Sequence, residues 1–198
     1  ACNDLERRAS FDPLTGVLNR SSVIPEIQRA LQELRAVDCL AVLHLNVIDF
    51  SEINSSVGFS EGDNVLIEVA SRVRSVLRAD DVLARLDGDE FVVLARASGE
   101  GEAAYDLALK VLSVFDEPFA IGGRMITLHA GLGMVRTSDR RENPTALLEN
   151  AGLAGRHGRA NDERLMLFDD SMRAAAAERF ELAADLRANI DSDQFSIV

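Results

Sequence analysis

Two cysteines, three histidines and no surplus of basic residues are the first constraints this 198-residue chain sets. Cys2 and Cys39 are too few for a disulfide framework. Cys39 opens an apolar run, the place of a small buried hydrophobe. His44, His129 and His157 lack metal-ligand spacing and read as structural. No apolar run approaches the ~20 residues of a membrane span, and no signal-peptide pattern is visible. A net charge of -12 speaks against a nucleic-acid surface and against contact with an anionic membrane. Nucleotide phosphates stay within reach if a divalent cation mediates. There is no Ser/His/Asp arrangement, no cysteine cluster and no Walker-type glycine loop. A cytoplasmic location is the expectation.

What is present is globular. Hydrophobic residues make up 47% and charged residues 27%, a balance that supports a core and argues against disorder. The length fits one ordinary domain with an appendage. A turn at Asp12-Pro13-Leu14-Thr15-Gly16 precedes a helix carrying Val23, Ile27, Leu31 and Leu34, capped within Asn19 to Ser22 and with Pro25 placed in its first turn. Cys39 to Ile48 is an apolar run broken by His44 and Asn46, as in a central strand buried on both faces. Ser51 to Glu61 reads as polar and turn-rich, and helical periodicity resumes at Asp63. Further elements follow: a helix from Glu102 to Phe115, a hairpin around Gly122-Gly123, a helix from Thr145 to about Ala154, and a short strand at Leu165 to Phe168. Helices interleaved with hairpins imply an α+β sandwich, an α/β class whose central, mainly antiparallel sheet is flanked by helices.

The densest signal is Asp87-Gly88-Asp89-Glu90-Phe91, three carboxylates around a glycine between two apolar strands. Asp-Gly there predicts a hairpin, with a type I′ turn needing positive φ at its central residues. Taken alone, it is equally a solvated acidic tip.

Asp12-Pro13-Leu14-Thr15-Gly16 with Leu18-Asn19-Arg20, then Phe50, Ile53-Asn54, Gly58 and Gly62-Asp63, then Arg85 to Phe91, together resemble the GGDEF family. Its members are diguanylate cyclase domains, which condense two GTP into cyclic di-GMP. The resemblance covers roughly residues 10 to 170. It implies a GGDEF, nucleotidyl-cyclase-like fold, Mg2+ or Mn2+ wherever GTP is bound, and catalytic roles for Asp89 and Glu90. Metals would be held by Asp89 and by the strand-end position, which here is Asn46. The chain departs from the family there, and also at Ile48, Ser51, Phe59 and Asp87. Relative to the family, these changes remove two carboxylates and a lysine and add an anion beside a triphosphate, which opposes binding and catalysis.

Other family positions survive. Asn54 and Asp63 match the residues that read the guanine edge, although a loop end and a helix N-cap are ordinary jobs for the same types. Arg159 lies in Arg156-His157-Gly158-Arg159-Ala160-Asn161, where the family binds phosphate. That segment reads as a solvated basic loop with Arg159 still able to reach a phosphate. Arg78-Ala79-Asp80-Asp81 fits the family's RxxD inhibitory site for cyclic di-GMP, with Arg78 as donor and Asp81 as acceptor. A surface turn holding an Arg–Asp pair is the bland alternative.

Residues 1–9 read as a linker and 10–170 as the GGDEF domain. From Ser171, an apolar stripe of Met172, Ala175, Ala176, Phe180, Ala183, Leu186 and Ile190 resembles the helical linker into an EAL phosphodiesterase domain. Phe195-Ser196-Ile197 then starts a strand, and the chain is read as a fragment. The expectation is a GGDEF domain with a degenerate site that binds GTP or cyclic di-GMP and regulates an adjacent EAL domain, with sensory domains upstream. An active cyclase and a silent dimerisation scaffold are the alternatives, and the resemblance admits a homodimer.

Overall fold

A computed structural model describes residues 9–98 and 101–176. Its elements in chain order are α1 (Arg20–Gln32), β1 (Asp38–Ile48), α2 (Phe50–Val57), α3 (Phe59–Val76), β2 (Val82–Asp87), β3 (Glu90–Ser98), α4 (Glu102–Ser113), β4 (Phe119–Ile121), β5 (Arg124–Ile126), β6 (His129–Thr137), α5 (Pro144–Ala160) and β7 (Leu165–Leu167). The main sheet runs β2-β3-β1-β6-β7, and β4-β5 forms a separate hairpin. Every pairing is antiparallel except β6 with β7. The α+β sandwich with a mainly antiparallel sheet is therefore what forms.

The period-2 geometry of β1 sorts its side chains into two cores. Ala41, Leu43, Leu45 and Val47 pack with Val65, Val69 and Val73 of α3 and Ala104, Ala108 and Val111 of α4. Leu40 and Val42 face the other way, onto Val23, Ile27 and Leu31 of α1 and Leu147 and Ala151 of α5. Continuing along that second face come His44, Asn46 and Ile48. The site begins where this apolar core ends.

Helix α5 sits close on β6 because the contact is made of glycine. A Cβ added to Gly133 would stand 2.0 Å from the Ala151 carbonyl oxygen and 2.2 Å from the Gly155 nitrogen. Gly133 lies opposite His44 in the β1–β6 register, and Gly131 opposite Asn46.

Several local expectations are corrected. The segment from Ser51 to Glu61 is helical: α2 covers most of it, and α3 starts four residues before Asp63. Pro25 is the sixth residue of α1, past its first turn, with Asn19 as the N-cap. Arg156 to Ala160 is the last part of α5 and no loop. The signature hairpin is not type I′: Gly88 has φ +48, but Asp89 is absent from the positive-φ residues, and the register shifts between Arg85 and Asp87.

One clamp fixes that hairpin. Arg85 donates from Nε and a terminal nitrogen to the Gly88 carbonyl at 2.9 and 2.8 Å, and from its other terminal nitrogen to Asp12 at 3.1 Å. Asp12 also accepts from the Thr15 amide and hydroxyl. Partial burial pushes the Asp12 carboxyl up, but the Thr15 hydrogen bonds and Arg85 outweigh it and hold it below the usual aspartate range. A carboxyl depressed on folding stabilises above its unfolded pKa, and that stability is lost as pH falls through the folded value. The melting temperature should therefore drop below about pH 4 less steeply in Asp12→Asn than in the natural chain. At neutral pH the variant should be less stable by about 1–3 kcal/mol. Parallel pH–melting curves would disprove the assignment.

The stripe from Phe180 to Ile190 and the Phe195 strand lie outside the described residues. Within them, Met172 is buried, and the Arg173 guanidinium lies 5.9 Å from the centre of the Phe168 ring. Cys39 is free and buried. No helix among the described residues is long and apolar enough to cross a membrane.

Candidate functional site

The carboxyl end of β1 gathers the chemistry. Asn46 is directly opposite Glu90 on β3, and the Val47 amide donates to the Asp89 carbonyl at 3.2 Å. This register brings the signature turn to the strand end. The Asn46 Nδ2 donates to Asp89 Oδ2 at 3.1 Å. Its orientation follows from charge: an anionic carboxylate faces the amide nitrogen, because the amide oxygen would repel it.

His44, one pleat back on the same face, places Nε2 3.7 Å from Glu90 Oε2. That is an electrostatic approach longer than a well-formed hydrogen bond. Across the cleft, α5 presents Arg156 and Arg159. Arg159 donates to Asp49 Oδ1 at 3.3 Å. Asp49 follows β1 in a left-handed conformation (φ 58), the sharp turn that starts α2. His44, Asn46, Glu90, Gly152, Arg156 and Arg159 are among the residues enclosing a cleft of about 190 Å³.

The two neighbouring carboxyls are driven in opposite directions. Burial pushes Asp89 up, and the Glu90 charge adds to this, while a backbone hydrogen bond, Arg159 and the Asn46 amide only partly offset it. Glu90 is held low, first by His44, then by the charges of Arg156 and Arg20, against the cost of partial burial. The site therefore disfavours charge on Asp89 and favours it on Glu90, through burial in the one case and neighbouring cations in the other.

The residues do not fit a resident metal centre. Of the two carboxylates at the strand end, Asp89 has its Oδ2 occupied by an amide N–H and Glu90 is turned toward His44. Ile48 offers no donor, and no group of three or more His, Cys, Asp or Glu among the described residues is arranged to hold a metal. Mg2+ takes one or two carboxylates together with substrate phosphates. Asp89 could serve a cation that arrives on a nucleotide, and no more than that.

Asn54 and Asp63 lie on two helices in contact with each other, α2 and α3. Asn54 sits inside α2 and Asp63 inside α3, so neither the loop-end nor the N-cap reading holds. Asn54 rests against Gly62, the residue before Asp63: a Cβ there would stand 1.8 Å from Asn54 Oδ1. Ser51 is exposed, and its carbonyl accepts from the Ser55 hydroxyl. Asp87 is exposed at the start of the signature turn.

Arg78 and Asp81 precede β2 and lie at the opposite end of that strand from the signature turn, roughly 20 Å away at ~3.3 Å per residue. Asp81 is 6% exposed. Its Oδ2 accepts from the Arg78 backbone amide at 2.8 Å. The turn is closed through the backbone, and Arg78 lines a polar cleft with Arg35, Asp38 and Arg96.

Sequence reasoning missed His44 and Arg156. Counting by twos from Asn46 along β1, and by threes back from Arg159 along a helix, would have found both.

This topology and this strand-end carboxyl cluster belong to the nucleotide-cyclase type of α+β domain. Residues 9–163 match the family described as diguanylate cyclase, GGDEF domain, and the chain belongs to that family. It is 33% identical over 195 residues to the cyclic di-GMP phosphodiesterase NbdA of Pseudomonas aeruginosa, covering 98% of this chain and 25% of that protein. It is also 33% identical over 196 residues to the bifunctional diguanylate cyclase/cyclic di-GMP phosphodiesterase MucR of the same organism, covering 98% and 28%. The chain thus spans about a quarter of these curated relatives. The solved structure of a delta-N mutant of TpbB (YfiN) from Pseudomonas aeruginosa, comprising only the GGDEF domain, superposes with a TM-score of 0.78 at 29% identity, covering 84% of this chain and 99% of that one.

Proposed function

We propose that this domain of the cyclic di-GMP signalling family binds GTP or cyclic di-GMP as a regulatory module for an adjacent EAL phosphodiesterase domain, with little or no cyclase activity. The observation that carries the proposal is the Asn46–Asp89 hydrogen bond. It replaces a carboxylate pair that would attract a cation with a neutral amide that satisfies Asp89 without one. Relatives named as a cyclic di-GMP phosphodiesterase and as a bifunctional cyclase/phosphodiesterase, each matching along nearly all of this chain, support the EAL partnership.

In this reading, Asn54 and Asp63 read the guanine edge, and Arg159 and Arg156 meet the phosphates. Any Mg2+ arrives with the nucleotide. Arg78 and Asp81 form a separate cyclic di-GMP site, and residues 171–198 connect to the following domain. Regulation requires that nucleotide bind one arrangement of the domains better than another.

Calorimetric titration with GTP and with cyclic di-GMP, each with Mg2+, tests the proposal alongside chromatography for product. Binding without turnover is expected. Efficient product formation would establish the second reading, an active cyclase, which the placement of Arg156 and Arg159 on a helix beside Asp89 and Glu90 favours. Absence of both binding and product would leave a scaffold.

Gly62→Ala probes the proposed guanine site. Its Cβ must displace the Asn54 side chain, while alanine improves helix propensity by about 1 kcal/mol. GTP affinity should fall about tenfold or more, the equivalent of losing a hydrogen bond to a buried polar edge, and thermal stability should change little. Unchanged affinity would remove Asn54 from the binding site.

A further inference from the structure

Phe59 is 82% exposed, the highest value among the exposed large hydrophobic residues described. It opens α3 directly after Gly58, whose φ of +89 suits glycine. A singly exposed apolar residue usually needs no explanation. Here the surroundings supply one. Asp63 follows at i+4 and is also exposed, so the ring and the carboxylate are neighbours on one helical face. Gly62, between them in sequence, is where Asn54 rests against α3. Ser60, Glu61 and Asn64 make the rest of this turn polar, and Phe59 belongs to neither hydrophobic core.

We propose that Phe59 is the stacking platform for the purine of the guanine nucleotide. The inference rests on the reading of Asn54 and Asp63 given above. Those two residues act in the plane of the base, on its edge. Edge contacts alone leave both faces of the purine in water, which competes for the same donors and acceptors. An aromatic ring covers one face, excludes water from the edge contacts, and strengthens binding of any base through its π-face. Phe59 therefore contributes affinity, and Asn54 with Asp63 contributes the choice of guanine.

The chain contains no tryptophan, so Phe59→Trp places a single indole at the proposed contact. The experiment titrates GTP with Mg2+ into the natural chain, Phe59→Ala and Phe59→Trp by calorimetry, with light scattering to monitor mass. Emission of Phe59→Trp is followed in parallel. Phe59→Ala should bind GTP about tenfold more weakly. Phe59→Trp should keep its affinity, and its emission should change saturably with the calorimetric midpoint.

If all three proteins bind alike and the indole emission stays flat, stacking is overturned while the guanine site stands. If Phe59→Ala changes the mass and not the affinity, the ring is a self-association contact and the proposal is overturned. If the natural chain takes up no GTP, the guanine reading fails first and this inference falls with it.

Discussion

Substituting Asn46→Asp and Asp87→Gly together should raise formation of cyclic di-GMP from GTP by about a hundredfold or more. In the natural chain the Asn46 amide donates to Asp89 at 3.1 Å. An aspartate there sets two carboxylates side by side at the strand end, the oxygen-rich arrangement that Mg2+ accepts together with phosphates. Asp87→Gly removes an exposed anion from the turn that nucleotide phosphates would approach. The gain comes at the expense of the metal-free protein. Paired carboxylates repel, so their folded pKa values rise and the folded state is destabilised above them, an effect relieved as pH falls. The double variant should melt lower than the natural chain without Mg2+ and recover as Mg2+ is added, since a ligand binding only the folded state stabilises it. Product chromatography and melting curves with and without Mg2+ check both halves. A variant that neither makes product nor responds to Mg2+ would show that the defect lies elsewhere, with Ser51 the next position to restore.

Gly133→Ala should destabilise the domain by about 3 kcal/mol and lower its melting temperature by roughly 6–12 °C. The added Cβ would stand 2.0 Å from one backbone atom of α5 and 2.2 Å from another. No rotamer relieves a clash with backbone, so the helix itself must move. Gly155→Ala is the control: its Cβ would meet the Gly133 nitrogen at 3.3 Å. A shift of a few tenths of an ångström accommodates that, and the gain in helix propensity offsets much of the cost. It should stay within about 1 kcal/mol of the natural chain. Moving α5 also moves Arg156 and Arg159, so nucleotide affinity should fall in Gly133→Ala and hold in Gly155→Ala. Equal melting temperatures for the two variants would refute the close-contact account.

Where the apolar pattern was continuous, the fold was legible. The run from Cys39 to Ile48 became the central strand, and the hairpins formed around Gly88 and around Gly122-Gly123. The failures share a cause. The stretch from Ser51 to Glu61 is rich in serine, asparagine and glycine, residues that compete for turns. It is helical because Phe50 and Ile53 pack against the first core, and tertiary burial outweighs weak propensity. The end of α5 read as a loop because Gly155 and Gly158 weaken the helical pattern, yet the helix continues there, lying against β6 where Gly133 leaves it room.

By itself, the sequence determined the family, the alternation of elements, and which ionisable groups are available. Those are local properties, carried by periods of two and 3.6 residues and by motif order. The tertiary structure alone decided how the groups are used. It set Asn46 against Asp89 across 43 residues and Arg159 against Asp49 across 110. It also turned His44 and Arg156 toward Glu90, so that neighbouring acids are driven in opposite directions. Electrostatic interaction depends on distance and burial, and both are fixed by strand register and by how closely α5 packs on the sheet.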